Sequence, residues 1–506
     1  MNREVWMISA EAAPLVHVGG LGDVLRALPS ALRRQGYAAR RFLPAYRAIG
    51  RDGFTPEGPD LRLPLGGGMV RVGILSRTGA DGVITSLVVQ DELYDRDGIY
   101  GDGAGDYPDN ARRFTLLCRA VCELARRSPR PPGILHAHDW HAALVPLFVR
   151  WGAPWKDRPG TLLTIHNMGY QGRFPMAEMR WLGLDPPLRD RLFVPAGIEY
   201  YGDVNCLKAG LLYADRLTAV SPTYAAEIMT PEQGYGLDGV VRERSADLTG
   251  VLNGADYAVW DPRIDPHIPR RYDRDHPERK EEARAALWAR LRFGAADRPI
   301  VGLIARLVHQ KGIDVVLAAG DEMVGAGADL ALLGSGDGDL AGGLRDLERR
   351  HPGRVAFYDG YNEALAHLIL AGSDLLLVPS RYEPCGLVQM HALRYGTLPV
   401  VHRTGGLADT VRDEEEFPGR GTGFVFDSLA RATLAAAVRR AIAVRSTHAP
   451  LWEGLRRRAM AEDFSWDRAA MRYVSLYEAI GGGAPAGGRD QAEPGKSLVS
   501  EPEAGR

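Results

Sequence analysis

The chain has 506 residues, of which 45% are hydrophobic and 25% charged, enough apolar material for more than one packed domain. Its 62 basic and 64 acidic residues give a formal net charge of -2, so no overall field favours nucleic acid or an anionic membrane surface. Any anionic ligand must therefore be held by a local site.

No segment of the chain indicates export or membrane insertion. The apolar stretch at residues 5–8 is too short for the hydrophobic region of a signal peptide, and no run is long enough to span a bilayer. Four cysteines are too few for a disulfide framework, and Cys118 and Cys122 are spaced one helical turn apart. We therefore expect a cytoplasmic protein that binds neither nucleic acid nor membrane.

The first half of the chain predicts a parallel α/β layer. A short apolar strand at residues 5–9 is followed by a glycine-rich loop at 16–22 and by apolar residues at helical spacing up to Gly36. Further strands are predicted at 83–89, 134–138, 161–166 and 216–220, with a helix at 110–125. Strand, loop and helix in this order are typical of one unit of a parallel sheet.

A charged stretch with four prolines at residues 261–284 separates this half from a second series of elements. Strands are predicted at 299–305, 330–333, 355–358, 375–379 and 398–401, with a helix at 363–372. The alternation of strands and helices thus occurs twice, which predicts two α/β domains. Residues 481–506 contain almost no large apolar residues, so we expect a disordered tail there.

Two groups of residues are candidates for binding phosphate. Residues 19–23, Gly-Gly-Leu-Gly-Asp, lie between a strand and a helix, where backbone amides can approach a phosphate, although such a loop can also simply turn the chain. The loop lacks the glycine spacing of a dinucleotide fingerprint. Arg306 and Lys311 follow the first strand of the second half, where they could neutralise a departing diphosphate or be ordinary surface charges.

Two further motifs place ionisable side chains at the ends of predicted strands. His136 and His138 share one face of a strand and precede Asp139; zinc is an alternative to an active-site loop, but no cysteine and only one acid accompany them. Glu383 follows the strand at 375–379, at the edge where open α/β sheets bind ligands. It could equally complement the N-terminus of a helix.

Together these motifs resemble those of bacterial glycogen synthases and plant starch synthases. The resemblance runs in the same order from Val5 to about Tyr477, and it includes further short motifs that begin at Asp109, His138, Thr164, Leu207, Ala219, Leu252 and Arg403. So long an ordered series is more specific than any single motif.

The resemblance implies a glycosyltransferase B fold, an α/β fold with two Rossmann-like domains that face a central cleft. The N-terminal, acceptor-side domain is expected at 1–262 and the C-terminal, nucleotide-sugar-binding domain at 263–462. A helix at 463–480 is expected to cross back to the N-terminal domain, ahead of the tail at 481–506.

The implied activity is that of a glycogen (starch) synthase, which transfers glucose from ADP-glucose to the non-reducing end of an α-1,4-glucan with retention of configuration. The acceptor is glycogen or a malto-oligosaccharide, and neither a metal nor another cofactor takes part. The residues expected to act in catalysis are Asp23, Asp139, His166, Asn253, Arg306, Lys311 and Glu383. Those expected to contact substrate are Glu11, His17, Gly19, Gly20, Asn167, Tyr361, Cys385, Gly386 and Leu387.

Within this set the resemblance implies distinct roles. Arg306 and Lys311 hold the diphosphate, Tyr361 lies against the nucleotide base, and Asp139 and Glu11 face the acceptor. The amides of the loop at residues 19–22 face the phosphates. The remaining residues surround the glucosyl ring, whose developing positive charge needs electrostatic support more than a strong base.

Three positions depart from the family pattern, and two alternatives stay open. His17 stands where the family has a lysine, Val388 where threonine is common, and Ala305 where serine is usual. One alternative donor is UDP-glucose, because no short motif reads the base. The other alternative is a catalytically weak glucan-binding paralogue, suggested by His17 and Val388, whereas the joint presence of the expected catalytic side chains favours an enzyme.

Overall fold

The computed structural model of the protein describes residues 2–102, 105–294 and 297–482, which fold as two compact units. The first unit comprises the chain up to Thr218, the segment Ile228–Leu248 and the described residues from Ala470 onward. The second unit comprises Ala219–Glu227 and Thr249–Ala469. Both are α/β structures, as the alternation of strands and helices predicts.

The first unit is built on a mainly parallel sheet whose central strand is Glu4–Ile8. That strand pairs in parallel with Ala38–Pro44 on one side and Ile134–His138 on the other. Its residues from Val5 to Ile8 are buried, so the run is apolar throughout rather than alternating. In spatial order the strands are Leu248–Gly250, Arg216–Ala219, Gly160–Ile165, Ile134–His138, Glu4–Ile8, Ala38–Pro44, Ile84–Val89, Gly68–Thr78 and Thr55–Pro56, with Leu61–Leu65 also paired to Gly68–Thr78.

Helices cover this sheet, and the first of them buries one apolar face. In the helix Gly20–Arg34, Leu21, Val24, Leu25 and Leu28 are buried at spacings of three and four residues. The other helices of the first unit are Asp91–Tyr94, Asn110–Arg127, Asp139–Ala142, Leu144–Trp151, Pro186–Leu192, Cys206–Tyr213, Pro231–Gly234 and Asp238–Glu243, with 3-10 turns at Met176–Leu182 and Ser245–Asp247. A separate three-stranded sheet pairs Arg173–Pro175, Asp203–Asn205 and Glu199–Tyr200, and Gly101–Asp102 pairs with Gly105–Asp106.

The second unit has a wholly parallel sheet of six strands. In spatial order they are Val355–Asp359, Asp329–Gly334, Ile300–Ile304, Leu375–Val378, Leu398–His402 and Phe424–Phe426. The helices are Pro222–Glu227, Lys280–Leu291, Ile313–Gly325, Gly338–Arg350, Glu363–Gly372, Val388–Arg394, Gly405–Thr410, Arg431–Thr447 and Ala449–Ala461, with 3-10 turns at Pro277–Arg279 and His309–Lys311. Because all six strands run the same way, the loops after them meet at one edge of the sheet.

The division of the chain differs from the predicted boundary at residue 262. Residues 249–262 belong with the second unit, because Asp261 forms an ion pair with Arg394 at 2.6 Å and the Trp260 ring stacks on His367 with ring centroids 3.9 Å apart. The last described helix is Trp466–Gly482, and it packs with the first unit from Ala470 onward. Of the predicted tail, residues 483–506 lie outside the described residues.

The strands that were not predicted include Ala38–Pro44 and Gly68–Thr78, at one side of the first sheet. The four cysteines are all buried and unpaired. None of the described helices is both long enough and apolar enough to cross a membrane.

Candidate active site

The second unit brings Lys311 and Glu383 together at the ends of two neighbouring strands. Strands Ile300–Ile304 and Leu375–Val378 pair in parallel, and the loops that follow them carry the two residues. Lys311 Nζ lies 2.5 Å from Glu383 Oε2, and Ser380 Oγ donates to the same oxygen at 2.8 Å. The Glu383 side chain is only 8% exposed, so these two donors, rather than water, stabilise the carboxylate.

The two loops are held in place by contacts within the second unit. The Arg381 guanidinium donates twice to the Asp314 carboxylate, at 2.7 and 2.6 Å. Gly312 has a φ of 65°, and a Cβ added there would lie 2.0 Å from the Pro379 carbonyl oxygen. Only glycine permits both the conformation and the close approach, so the backbone fixes the place of the neighbouring Lys311.

Asn253 and the residues after Glu383 form the surroundings of this ion pair. The Cys385 thiol is buried, which raises its pKa, and it hydrogen-bonds to the Asn253 backbone. Asn253 is itself buried, and its Oδ1 has no hydrogen-bond partner among the described residues. A buried carbonyl oxygen without a donor costs free energy, so this oxygen is available to a donor from outside the protein. Gly386, at a φ of 71°, and Leu387 lead the chain into the helix that starts at Val388.

Arg306 and Tyr361 lie at the same edge of the sheet but are exposed. Arg306 follows the strand Ile300–Ile304 and its side chain faces water. Tyr361 follows the strand Val355–Asp359 and is 81% exposed. The structure therefore groups Lys311 with a shielded carboxylate and leaves Arg306 and Tyr361 as accessible side chains.

The two departures from the family pattern in this unit have local explanations. Val388 is partly buried against the apolar core of the second unit, so an apolar side chain is accommodated there without strain. Ala305 continues the strand, and its amide donates to the Leu333 carbonyl oxygen at 3.1 Å. Neither residue removes a protein hydrogen bond that the described structure requires.

In the first unit, Glu11 holds the glycine-rich loop. Its Oε2 accepts the amides of Val18 and Gly19 at 2.7 and 3.0 Å, and its Oε1 accepts the Tyr100 hydroxyl. This differs from the expectation that the Gly19 amide faces a phosphate and that Glu11 faces the acceptor, because those groups already bond to one another. Gly20, the first residue of the following helix, remains exposed.

His17 and Asp23 form a pair beside this loop. His17 Nε2 lies 3.4 Å from Asp23 Oδ2, and the two side chains are 45% and 36% exposed. The hydrogen bond to Asp23 raises the pKa of His17, although partial burial opposes it. The ring packs closely on Gly22, where an added Cβ would lie 2.7 Å from His17 Cδ2. The imidazole therefore stays beside the loop and can gain a positive charge there.

Asp139 organises the turn that carries His166 and Asn167. The strands Ile134–His138 and Gly160–Ile165, which precede these residues, pair in parallel. Asp139 Oδ1 accepts the amides of His166 and Asn167 at 2.6 and 3.3 Å. Asp139 has a φ of 55°, which is uncommon for a residue with a side chain. Burial raises its pKa to about 7, so the carboxyl changes charge near neutral pH.

The histidines of this region bond to each other and to hydroxyl groups. His138 Nδ1 and His166 Nε2 are 3.0 Å apart, and burial lowers the pKa of both rings, that of His166 to about 3. Both rings are therefore neutral, and one donates to the other. His136 bonds to the hydroxyls of Tyr477 and Thr164 at 2.9 and 2.7 Å. Over the described residues, no three or more His, Cys, Asp or Glu side chains are placed to hold a metal ion.

Tyr100 and Ser380 join these clusters although neither was predicted as a site residue. Tyr100 reaches Glu11 across 89 residues of sequence, and one tyrosine among 19 gives no signal of such a contact. Ser380 lies three residues before Glu383 in the same motif, so its spacing could have indicated the hydrogen bond.

Two α/β units with polar clusters at the carboxyl ends of their parallel strands are typical of glycosyltransferases. The shielded carboxylate beside a lysine suits a reaction in which charge develops on a sugar and on a leaving phosphate. Comparison with known proteins agrees with this class. Residues 4–243 match the family described as starch synthase catalytic domain, and residues 292–456 match glycosyl transferases group 1.

Curated relatives match nearly the whole chain. The glycogen synthase of Syntrophotalea carbinolica is 41% identical over 483 residues, which cover 94% of this chain and 98% of the relative. Glycogen synthase 1 of Rhizobium meliloti is 44% identical over 485 residues, with the same coverage of 94% and 98%. The chain belongs to the glycogen synthase and starch synthase family, which confirms the resemblance seen in its motifs.

Solved structures confirm the predicted glycosyltransferase B fold class. The catalytic domain of starch synthase IV from Arabidopsis thaliana, bound to ADP and acarbose, is 32% identical and covers 95% of this chain and 99% of its own, with a TM-score of 0.86. Sucrose-phosphate synthase from Thermosynechococcus elongatus is 19% identical, with coverage of 94% and 98% and a TM-score of 0.58. The second likeness concerns the fold alone.

Proposed function

We propose that this protein transfers glucose from ADP-glucose to the non-reducing end of an α-1,4-glucan and retains the configuration at the anomeric carbon. The ion pair between Lys311 and Glu383, 2.5 Å apart at adjacent strand ends, is the observation that carries the proposal. The ADP and acarbose bound by the Arabidopsis starch synthase IV domain support an adenine nucleotide and an oligosaccharide as ligands. The relatives named glycogen synthase support the polymer.

The residues of the second unit act on the donor in this proposal. Lys311 and the exposed Arg306 neutralise the diphosphate as it leaves, and Tyr361 lies against the base. Glu383 supports the positive charge that develops on the glucosyl ring, while Asn253 Oδ1 and the backbone of Gly386 and Leu387 bond its hydroxyl groups. The buried thiol of Cys385 supports the loop rather than contacting the sugar.

The chemical step breaks the bond between the anomeric carbon and the diphosphate oxygen. The acceptor oxygen O4 bonds to the same carbon from the face that the diphosphate leaves, and its proton passes to the departing phosphate oxygen. Because the phosphate takes the proton, no protein carboxylate has to act as a strong base. Lys311 and Arg306 supply the positive charge that a metal ion provides in other transferases.

The residues of the first unit are assigned to the glucosyl and acceptor hydroxyls and to the phosphates. Asp23, Asn167 and the neutral ring of His166 hydrogen-bond to hydroxyl groups. Asp139 fixes the turn that carries His166 and Asn167. His17 and the backbone amide of Gly20, an exposed residue, face phosphate. Glu11 acts through the loop that it holds. The four unpaired cysteines support a reducing compartment, and the proposal places the protein in the cytoplasm.

The test is to incubate the purified protein with glycogen and either ADP-glucose or UDP-glucose, and to measure diphosphate release and chain extension. We expect extension with ADP-glucose, loss of it in Glu383→Gln, and a much lower kcat/KM with UDP-glucose. A preference for UDP-glucose would overturn the donor assignment. Absence of turnover with both donors would favour the glucan-binding paralogue.

A further inference from the structure

A cavity in the second unit, called here the basic cavity, is lined by four basic side chains, Lys280, Arg284, Arg445 and Arg456. Three helices contribute them, Lys280–Leu291, Arg431–Thr447 and Ala449–Ala461. The volume of the cavity is about 280 Å³, close to the lower end of the range for small-ligand pockets, about 300 to 1,000 Å³. The cavity therefore has room for a small ligand that contacts several basic groups at once.

The basic cavity and the candidate active site lie at opposite edges of the same sheet. Asp374 and Gly396, which also line the cavity, directly precede the strands Leu375–Val378 and Leu398–His402. Glu383 instead follows the first of these strands. That strand has four residues, which span about 13 Å in a parallel sheet. A ligand in the basic cavity would therefore not occupy the candidate active site.

The buried charges around the basic cavity do not balance. Three of its basic residues are more than nine-tenths buried, namely Lys280, Arg284 and Arg456. Of the three described carboxylates that line the cavity, only Asp374 is buried. Glu281 and Glu453 stand at the rim with side chains 64% and 44% exposed, where water and salt screen their charge. Three buried cations therefore share the cavity with one buried carboxylate.

The buried carboxylate of Asp374 is already engaged on both oxygens. Its Oδ1 accepts from Arg445 Nε at 2.8 Å. Its Oδ2 accepts from Arg284 Nη1 at 2.5 Å and from the Ile300 amide at 2.8 Å. One negative charge is thus divided between two arginines, and it cannot offset the remaining cations.

Lys280 and Arg456 have no buried carboxylate as a partner among the described residues. Lys280 Nζ donates to the Ala371 carbonyl oxygen and to Thr397 Oγ1, each at 2.6 Å. Burial lowers the pKa of Lys280, and the charge of Arg456 lowers it further. Arg456 pairs with the rim residue Glu453 at 2.7 Å, and its buried Nε has no hydrogen-bond partner in the described part of the chain. Buried cations in such surroundings are stabilised by an added anion.

We propose that the basic cavity binds a phosphate group, as the free ion or on a small ester. Guanidinium groups suit this ligand because their N–H donors pair with phosphate oxygens in a fixed geometry. The bound group would supply the negative charge that Asp374 cannot. Since it binds the folded state, it would also stabilise the second unit. The proposal involves neither the glucan nor the nucleotide sugar, so it does not rest on the proposed function.

The binding test is calorimetric titration of the whole protein with inorganic phosphate, with sodium chloride adjusted to keep the ionic strength constant. Arg456→Gln and Arg445→Gln should each lower the affinity at least about tenfold, because each removes a charged donor. Glu281→Gln removes an exposed negative charge from the rim and should raise the affinity about twofold to fivefold. Glu282→Gln is the matched control on the same helix, since Glu282 pairs with Arg270 and does not line the cavity; it should bind like the wild type.

The same titration with glycerol 1-phosphate separates the two sources of the phosphate group. Tighter binding of the ester would assign the basic cavity to a small phosphate ester, and tighter binding of inorganic phosphate would assign it to the free ion. Both results support the proposal, provided that the arginine variants lose the binding.

Thermal unfolding gives a second measurement. Phosphate at about five times its Kd should raise the unfolding temperature of the second unit by about 2 to 4 °C in the wild type and by less in Arg456→Gln. Arg306→Ala changes the other candidate phosphate site and should keep the full shift. Absence of saturable phosphate binding would overturn the proposal. So would binding that is lost in Arg306→Ala but kept in both Arg456→Gln and Arg445→Gln, or equal affinities in Glu281→Gln and Glu282→Gln.

Discussion

Asp139 provides a stringent test of the electrostatics of the first unit through the variant Asp139→Asn. Burial raises the pKa of this carboxyl from 3.8 to about 7, so between these values the folded protein holds a proton that the unfolded chain has lost. Stability must then fall as pH rises through this window. For a single site with these two pKa values, the loss between about pH 5 and pH 8 amounts to about 2 to 3 kcal/mol.

Asparagine keeps the features that the fold uses at this position. Its Oδ1 can accept hydrogen bonds from the amides of His166 and Asn167 as Asp139 does. Asparagine also tolerates a φ of 55° better than most residues. The variant should therefore gain stability over the wild type as pH rises, by about 2 to 3 kcal/mol between about pH 5 and pH 8.

The assay is the free energy of unfolding of the first unit, measured by urea denaturation across this pH range in both proteins. Asp52→Asn changes an exposed aspartate of the same unit and should show no such trend. A difference between Asp139→Asn and wild type that stays constant with pH, or a variant that is less stable at the high end, would refute the reasoning.

Three further predictions concern the proposed reaction. Glu383→Gln and Arg306→Ala should each lower kcat/KM by at least about a hundredfold without unfolding the protein; near-normal turnover in either variant, measured with ADP-glucose, would remove that residue from the site. Activity should survive EDTA, because Lys311 and Arg306 neutralise the diphosphate; complete loss that magnesium or manganese restores would contradict this. Since Asp23 raises the pKa of His17, the KM for ADP-glucose should fall as pH drops from about 8 to 6.5 and the histidine gains its proton. The variant His17→Lys should bind ADP-glucose more tightly than the wild type at about pH 8 and should lose the pH dependence. An unchanged KM in this variant at about pH 8 would show that His17 does not face phosphate.

Much of the fold could be predicted because its central strands are continuous apolar runs. The strand Ala38–Pro44 escaped prediction because Arg40 interrupts that pattern. In the structure Arg40 is buried, with its guanidinium 4.8 and 4.5 Å from the ring centres of Trp6 and Phe42 and an ion pair to Glu57. A charged side chain can occupy a buried strand when its charge is paired and its stem is packed, and neither condition is visible in local sequence.

The candidate site shows the same limit. Motifs at strand ends located Lys311, Glu383 and Asp139, since the position of a strand end follows from the apolar run before it. The hydrogen-bond partners of these residues depend on tertiary contacts. For example, the Glu11 carboxylate accepts a hydrogen bond from the Gly19 amide. The assignment of residues 249–262 to the second unit depends likewise on distant partners.

The helix Trp466–Gly482 has a consequence for the synthesis of the chain. Its Tyr473 and Tyr477 are fully buried, and Tyr477 bonds to His136, 341 residues earlier. On the ribosome the first unit therefore lacks this helix until the whole second unit has been translated. The second unit, whose segments all precede Ala470, can finish folding first, and the nascent first unit keeps an uncovered apolar surface until this helix has been translated.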